Sequence, residues 1–121
     1  MIKTYIKGAQ AERDLAKKLK ERGFSVIRAA GSGGNISTPD LVAIKDGRIL
    51  AFECKAWKTK PRLKKGEYDE FIRWCKRANA IGFMAWKNGT DWLFLNSKKI
   101  KNSNIKEEGL SFNDLMFLIN V

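Results

Sequence analysis

Residues 39–55 read PDLVAIKDGRILAFECK, two apolar runs joined by Asp46-Gly47. An Asp-Gly pair signals a two-residue hairpin loop, because both central positions of the tight turn need positive φ. The turn sets the register: Lys45 pairs with Arg48, Ile44 with Ile49, Val42 with Ala51 and Asp40 with Glu53. Strand alternation then puts Asp40, Glu53 and Lys55 on one face, and Leu41, Ala43, Leu50, Phe52 and Cys54 on the other. With both faces otherwise apolar, the hairpin reads as the buried centre of a sheet.

Two carboxylates placed opposite each other destabilise a strand pair, and burying them costs more. A cation between them resolves the conflict. Magnesium takes carboxylate oxygens, keeps several waters and leans on substrate phosphates for its remaining ligands. A lysine beside such a site can orient the attacking water or offset charge on a phosphorane-like transition state. The plain alternative is that Asp40 caps a strand and Glu53 pairs with Lys55. The turn register, which links the Glu-x-Lys triplet to a distant Pro-Asp, weighs against it.

At 121 residues the chain is expected to be one domain, residues 1–121. Lysine and arginine number 24 against 13 acids, a net charge of +11 that suits a polyanion, nucleic acid first. No apolar run approaches a membrane span, and no signal-peptide core is read at the amino terminus. Cys54 and Cys75 lie in apolar contexts without metal-site spacing, which favours reduced core thiols and a cytoplasmic setting. Histidine is absent. That removes histidine-based hydrolases and the usual zinc sites, leaving carboxylates, lysine and an oxygen-bound metal for any cleavage chemistry.

The periodicity predicts a helix over 6–22 ending at Gly23, a strand from Phe24 to Ala30, and the 40–55 hairpin. A second helix follows from Glu67 to Asn79, then a hairpin around Asn88-Gly89 and a last helix capped by Ser111. The basic tract KAWKTKPRLKK lies between hairpin and second helix, and its Lys58, Lys60, Arg62, Lys64 and Lys65, with Arg13, suit phosphate contacts. The glycine-rich stretch 31–38 suits either a loop that orders on DNA or an ordinary connection. In the first helix Tyr5, Gly8, Glu12, Leu15, Ala16 and Leu19 share a stripe, so Glu12 falls in the middle of the core-facing side. It is expected either to pair with a core arginine such as Arg28 or to join the metal site as a third acid, the second being favoured beside two acids already placed.

The order of elements, with Pro39-Asp40 and Glu53-Cys54-Lys55, resembles the PD-(D/E)xK nuclease superfamily. More narrowly, KGAQAERDL, GFSVIRAAGS, PDLVA and FECKA resemble archaeal-type Holliday junction resolvases, the Hjc family, closely over residues 7 to about 60 and hardly at all in the last twenty. The resemblance implies an α/β, restriction-endonuclease-like core with a central mixed β-sheet flanked by helices. It implies Glu12, Asp40 and Glu53 as metal-site acids and Lys55 as catalytic lysine. Ser32 matches a serine that helps position the scissile strand, and Arg13 and Arg28 match arginines tied to junction binding or catalysis. It also implies a homodimer using magnesium or manganese to nick opposing strands of a four-way junction symmetrically. The second helix belongs to the dimer contacts of relatives, where this chain carries Trp74. Relatives engage partners such as a sliding clamp or helicase, and no segment here is singled out for one. The rival expectations are another nuclease of this superfamily (flap, mismatch or site-specific) and a non-catalytic basic DNA-binding protein. An anionic-membrane binder has little support, since no exposed basic amphipathic helix stands out.

Overall fold

The computed structural model describes residues 2–29, 38–56, 61 and 63–119, with side chains from residue 8 onward. In chain order the elements are α1 (Ile2–Glu21), β1 (Ser25–Arg28), β2 (Leu41–Lys45), β3 (Arg48–Lys55), α2 (Lys65–Ala78), β4 (Ile81–Asn88), β5 (Asp91–Asn96), α3 (Ile105–Glu108) and α4 (Phe112–Ile119). The five strands form one sheet in the order β1-β2-β3-β4-β5, all neighbours antiparallel except the parallel pair β3–β4. A parallel pair needs a crossover, and α2 is that crossover.

The hairpin turns at Asp46 and Gly47 with φ of 50° and 77°, and Lys45 pairs with Arg48, Ile44 with Ile49 and Val42 with Ala51. The ladder stops at Leu41 opposite Phe52, one pair short of the acids. Asp40 does not continue the strand. Its N–H donates to the Phe52 carbonyl at 3.0 Å and its Oδ2 accepts the Cys54 N–H at 2.8 Å. The side chain is thus used to end the strand pair, which displaces it from the simple cross-strand position.

The face holding Leu41, Ala43, Leu50 and Phe52 is fully buried, against Leu15 and Leu19 of α1 and Leu115 and Met116 of α4. On the other face α2 sets Phe71 and Cys75 on Ala51. A Cβ on Gly82 would lie 2.8 Å from the Cys75 Sγ and 2.9 Å from the Phe71 ring, so glycine there lets α2 come this close to β4. A second cluster, Met84, Trp86, Leu95 and Ile105, takes in Leu63 and so anchors the chain just before α2.

Further expectations are corrected. The hairpin is not buried on both faces, because α2 packs on β3 and β4 and leaves Ile27 63% and Ile44 36% exposed on β1 and β2. The second hairpin closes on Gly89-Thr90, since Asn88 is already paired with Asp91. The short α3 was missed. Its one turn is set by Asn104, whose side chain accepts the Lys106 N–H, within a polar stretch that carries no periodic signal. Two helix ends hold, with α1 running into Gly23 at φ 90° and Ser111 Oγ accepting the Asp114 N–H at 3.1 Å, whereas α1 starts at Ile2 rather than residue 6 and α2 at Lys65 rather than Glu67.

Candidate active site

The open cavity of about 470 Å³ between α1, the β2–β3 hairpin and α2 is lined by Glu12, Asp40, Glu53 and Lys55. Four residues drawn from three separate stretches of sequence meet there. β3 presents Glu53 and Lys55 on the face opposite Phe52, α1 presents Glu12, and the bend before β2 presents Asp40.

Burial pushes the Glu53 carboxyl up to about 8, and the neighbouring Asp40 charge adds to the rise while Lys55 opposes it. Asp40 is raised by burial too, partly offset by the Cys54 N–H that it accepts and by Lys55. Glu12 is raised by burial and then by Asp40, against the opposing pull of Arg28. These acids share one field, and none is at ease as an anion without positive charge beside it.

Glu12 forms the expected pair with Arg28 and also stands at the cavity. Arg28 donates Nε–H to its Oε1 at 3.0 Å, the pair being about one-fifth exposed, and Glu12 still lines the cavity beside Asp40. Arg13 is exposed on α1 next to it. Lys64 and Lys65 are exposed at the amino-terminal end of α2, while Ser32, Lys58, Lys60 and Arg62 lie outside the described residues.

Two residues of α2 enter the site in ways the sequence reading did not anticipate. Trp74, expected at a subunit contact, forms part of the cavity wall and packs on the Ala51, Phe71 and Cys75 cluster. Glu67, read only as a helix start, also lines the cavity and stands with its Oε2 3.6 Å from the Lys55 Nζ. The signal was present in the spacing: Glu67, Glu70, Phe71 and Trp74 fall at i, i+3, i+4 and i+7, one stripe of a helix, and all four line the cavity.

Among the described residues no group of three or more Cys, Asp or Glu side chains is gathered closely enough to hold a metal ion unaided. The donor set still fits a hard cation that keeps waters. Asp40 and Glu53 are acceptor-only oxygens when ionised, and their shared resistance to ionising is what a divalent ion relieves.

A five-stranded mixed sheet between helices, with an Asp and a Glu-x-Lys at one cavity, is the restriction-endonuclease-like core of a nuclease. The model of the archaeal Holliday junction resolvase (Hjc) family matches residues 3–119, and the chain belongs to that family. The match extends to residue 119, into the last twenty residues, which the motifs alone had not connected to it. The crossover junction endodeoxyribonuclease Hjc of Methanocaldococcus jannaschii is 38% identical over 93 residues, 76% of this chain and 67% of that one. The Hjc of Sulfolobus acidocaldarius is 32% identical over 101 residues, 80% of this chain and 71% of its own. The structure of Archaeoglobus fulgidus Hjc, a Holliday junction resolvase, matches with a TM-score of 0.79 at 26% identity, covering 92% of this chain and 96% of that one.

Proposed function

We propose that this chain is a single nuclease domain that resolves four-way (Holliday) DNA junctions, working inside the cell as a homodimer that places paired, symmetric nicks. The observation that carries the reading is the meeting of Asp40, Glu53 and Lys55 in one open cavity, in a chain of the junction-resolvase family. The net charge of +11 and the exposed Arg13, Lys64 and Lys65 supply sequence-independent attraction to DNA, which a structure-specific enzyme requires. Among the described residues no helix is long and apolar enough to cross a membrane.

Asp40 and Glu53 would hold magnesium, or manganese in its place, and Glu12 would complete the set directly or through water. When bound, the ion neutralises phosphate charge and makes a water more acidic. The protein's own groups do the rest. The bend that ties Asp40 to the Cys54 N–H fixes its carboxylate relative to β3. Lys55 sets its ammonium beside the acids, where it steadies the attacking water or the charge growing on the phosphate. Arg28 holds Glu12 in place, and Arg13 with the 58–65 tract grips flanking phosphates. Two such sites related by a two-fold axis would cut opposing strands alike.

The test is incubation with mobile and immobile four-way junctions in magnesium, mapping nicks on all four strands. Paired nicks at symmetric positions, absent in chelator, are expected. Equal cleavage of linear duplex would favour a nuclease of another specificity, and binding without any nicking would favour a non-catalytic DNA-binding protein. Sedimentation showing monomer alone at micromolar concentration, with unpaired nicks, would overturn the homodimer.

A further inference from the structure

We infer that Glu67 is a positioning residue: its carboxylate holds the Lys55 ammonium at the acid pair, making nicking depend on the placement of the first turn of α2. This rests on the catalytic role proposed above for Lys55.

The two oxygens of Glu67 face different ways. Oε1 accepts the backbone N–H of Lys64, the residue capping α2, at 3.1 Å. Oε2 lies 3.6 Å from the Lys55 Nζ. One oxygen is therefore fixed by the helix start, and a planar carboxylate so fixed can turn its other oxygen in only a narrow arc. An acid in the first turn also lies where the positive end of the helix dipole attracts it. The helix carrying it is itself held down, by Phe71 and Cys75 on Ala51 and by the close approach that Gly82 permits.

Lys55 is the last residue of β3, so the strand fixes its backbone, and side-chain contacts, the Glu67 pair among them, place the ammonium at the end of its four-carbon stem. Its side chain is 14% exposed while that of Glu67 is 43% exposed, so Glu67 forms the solvent side of the pair. A partly exposed ion pair of this kind adds little to folding stability. Its effect falls on geometry: small displacements of a catalytic group away from the reacting atoms are costly in rate.

A helix-capping role alone is the competing explanation, and the choice of variants separates the two. Glu67→Gln keeps an oxygen for the Lys64 N–H and removes the charge toward Lys55, whereas Glu67→Ala removes both. Melting temperature, junction affinity without divalent metal, and single-turnover nicking in magnesium would be measured for each. Glu67→Gln is expected to melt and bind as the parent does while nicking about tenfold slower. With Lys55→Ala already present, adding Glu67→Gln should change nothing further, since the residue acts through the lysine. Parent-like nicking by Glu67→Gln would overturn the proposal, as would an equal further loss in the Lys55→Ala chain.

Where the Lys55→Ala chain nicks too slowly to time, NMR of the Lys55 ammonium decides instead. Restricted Nζ motion in the parent, released in Glu67→Gln, supports the proposal, and identical motion in both refutes it. Full-rate nicking by Lys55→Ala would remove the lysine's role and Glu67's with it. Parent protein that cuts duplex as readily as junctions would overturn only the junction specificity, because the Glu67→Gln rate ratio is read on either substrate.

Discussion

Arg28, at the end of β1, donates its Nε–H to Glu12 in α1 at 3.0 Å, joining two elements across the rim of the acid cavity. The arginine removes part of the cost of a half-buried carboxylate next to Asp40, and Glu12 still lines the cavity. The same residue thus makes a structural ion pair and lines the cavity. Glu12→Gln keeps an acceptor for Arg28 and should melt near the parent temperature while nicking at least about tenfold more slowly. Normal nicking with a much lower melting temperature would place Glu12 in the scaffold alone. Arg28→Ala leaves the acid without that partner and is expected to cost about 1–2 kcal/mol in denaturant unfolding.

Asp40→Asn should abolish nicking and leave junction affinity unchanged or somewhat tighter. An amide oxygen can still accept the Cys54 N–H, so the bend before β2 survives. The charge that attracts a cation is gone, and so is its repulsion of the scissile phosphate. Gel shifts without divalent metal, paired with nicking in magnesium, test both halves. Loss of binding in a folded variant would count against this role.

The raised carboxyl of Glu53 makes stability depend on pH in an unusual direction. An unfolded glutamate loses its proton near its ordinary value of 4.5, whereas Glu53 in the folded protein keeps it to about 8. Between those limits the folded state binds the extra proton, so stability is highest at the acid end and falls as pH rises. Metal-free protein should therefore lose on the order of 2 kcal/mol or more from pH 5 to 8, and Glu53→Gln should flatten the slope. Magnesium should stabilise the parent more at pH 8 than at pH 5, since its ligands must be ionised. Urea melts across pH, with and without the ion, would measure this. A slope of the opposite sign would show that Glu53 is ionised in the free protein.

Gly82→Ala drives a methyl to within 2.8 Å of the Cys75 Sγ, an atom close to the helix backbone, so α2 has to move. The expected cost is about 1–3 kcal/mol, typical of overpacking. Nicking should fall as well, because α2 carries part of the cavity wall. Adding Cys75→Ala should restore only part of both, since the Phe71 ring at 2.9 Å still meets the methyl. A parent-like melting temperature for Gly82→Ala would show that the helix adapts without cost.

The hairpin and its register as far as Leu41 and Phe52 were legible because an Asp-Gly turn and strand alternation are local rules acting over a few residues, whereas the bend that takes Asp40 out of the strand was not. Glu12 was legible as an anomaly, an acid on an apolar stripe, but periodicity could not say which neighbour it meets. Glu67 and Trp74 were not placed, because their distance from Lys55 depends on how α2 docks, and docking is set by Gly82, Phe71 and Ala51, which no local pattern connects. The exposure of Ile27 and Ile44 escaped for the same reason: the sequence of a strand does not tell how far a covering helix reaches.

The strands lie side by side in the order in which they are synthesised, and that has a consequence for how the protein folds. Most pairings close short loops, so contacts are local and folding should be fast for a protein built on a sheet. The parallel docking of β4 on β3 is the exception, since it must enclose residues 56–80 first. Conservative truncations in the β2–β3 hairpin should therefore slow refolding, whereas truncations under α2, such as Phe71→Leu, should mainly speed unfolding. Stopped-flow refolding and unfolding of both sets would show whether Asp40 and Glu53 are brought together on the hairpin before Glu67 arrives to close the cavity.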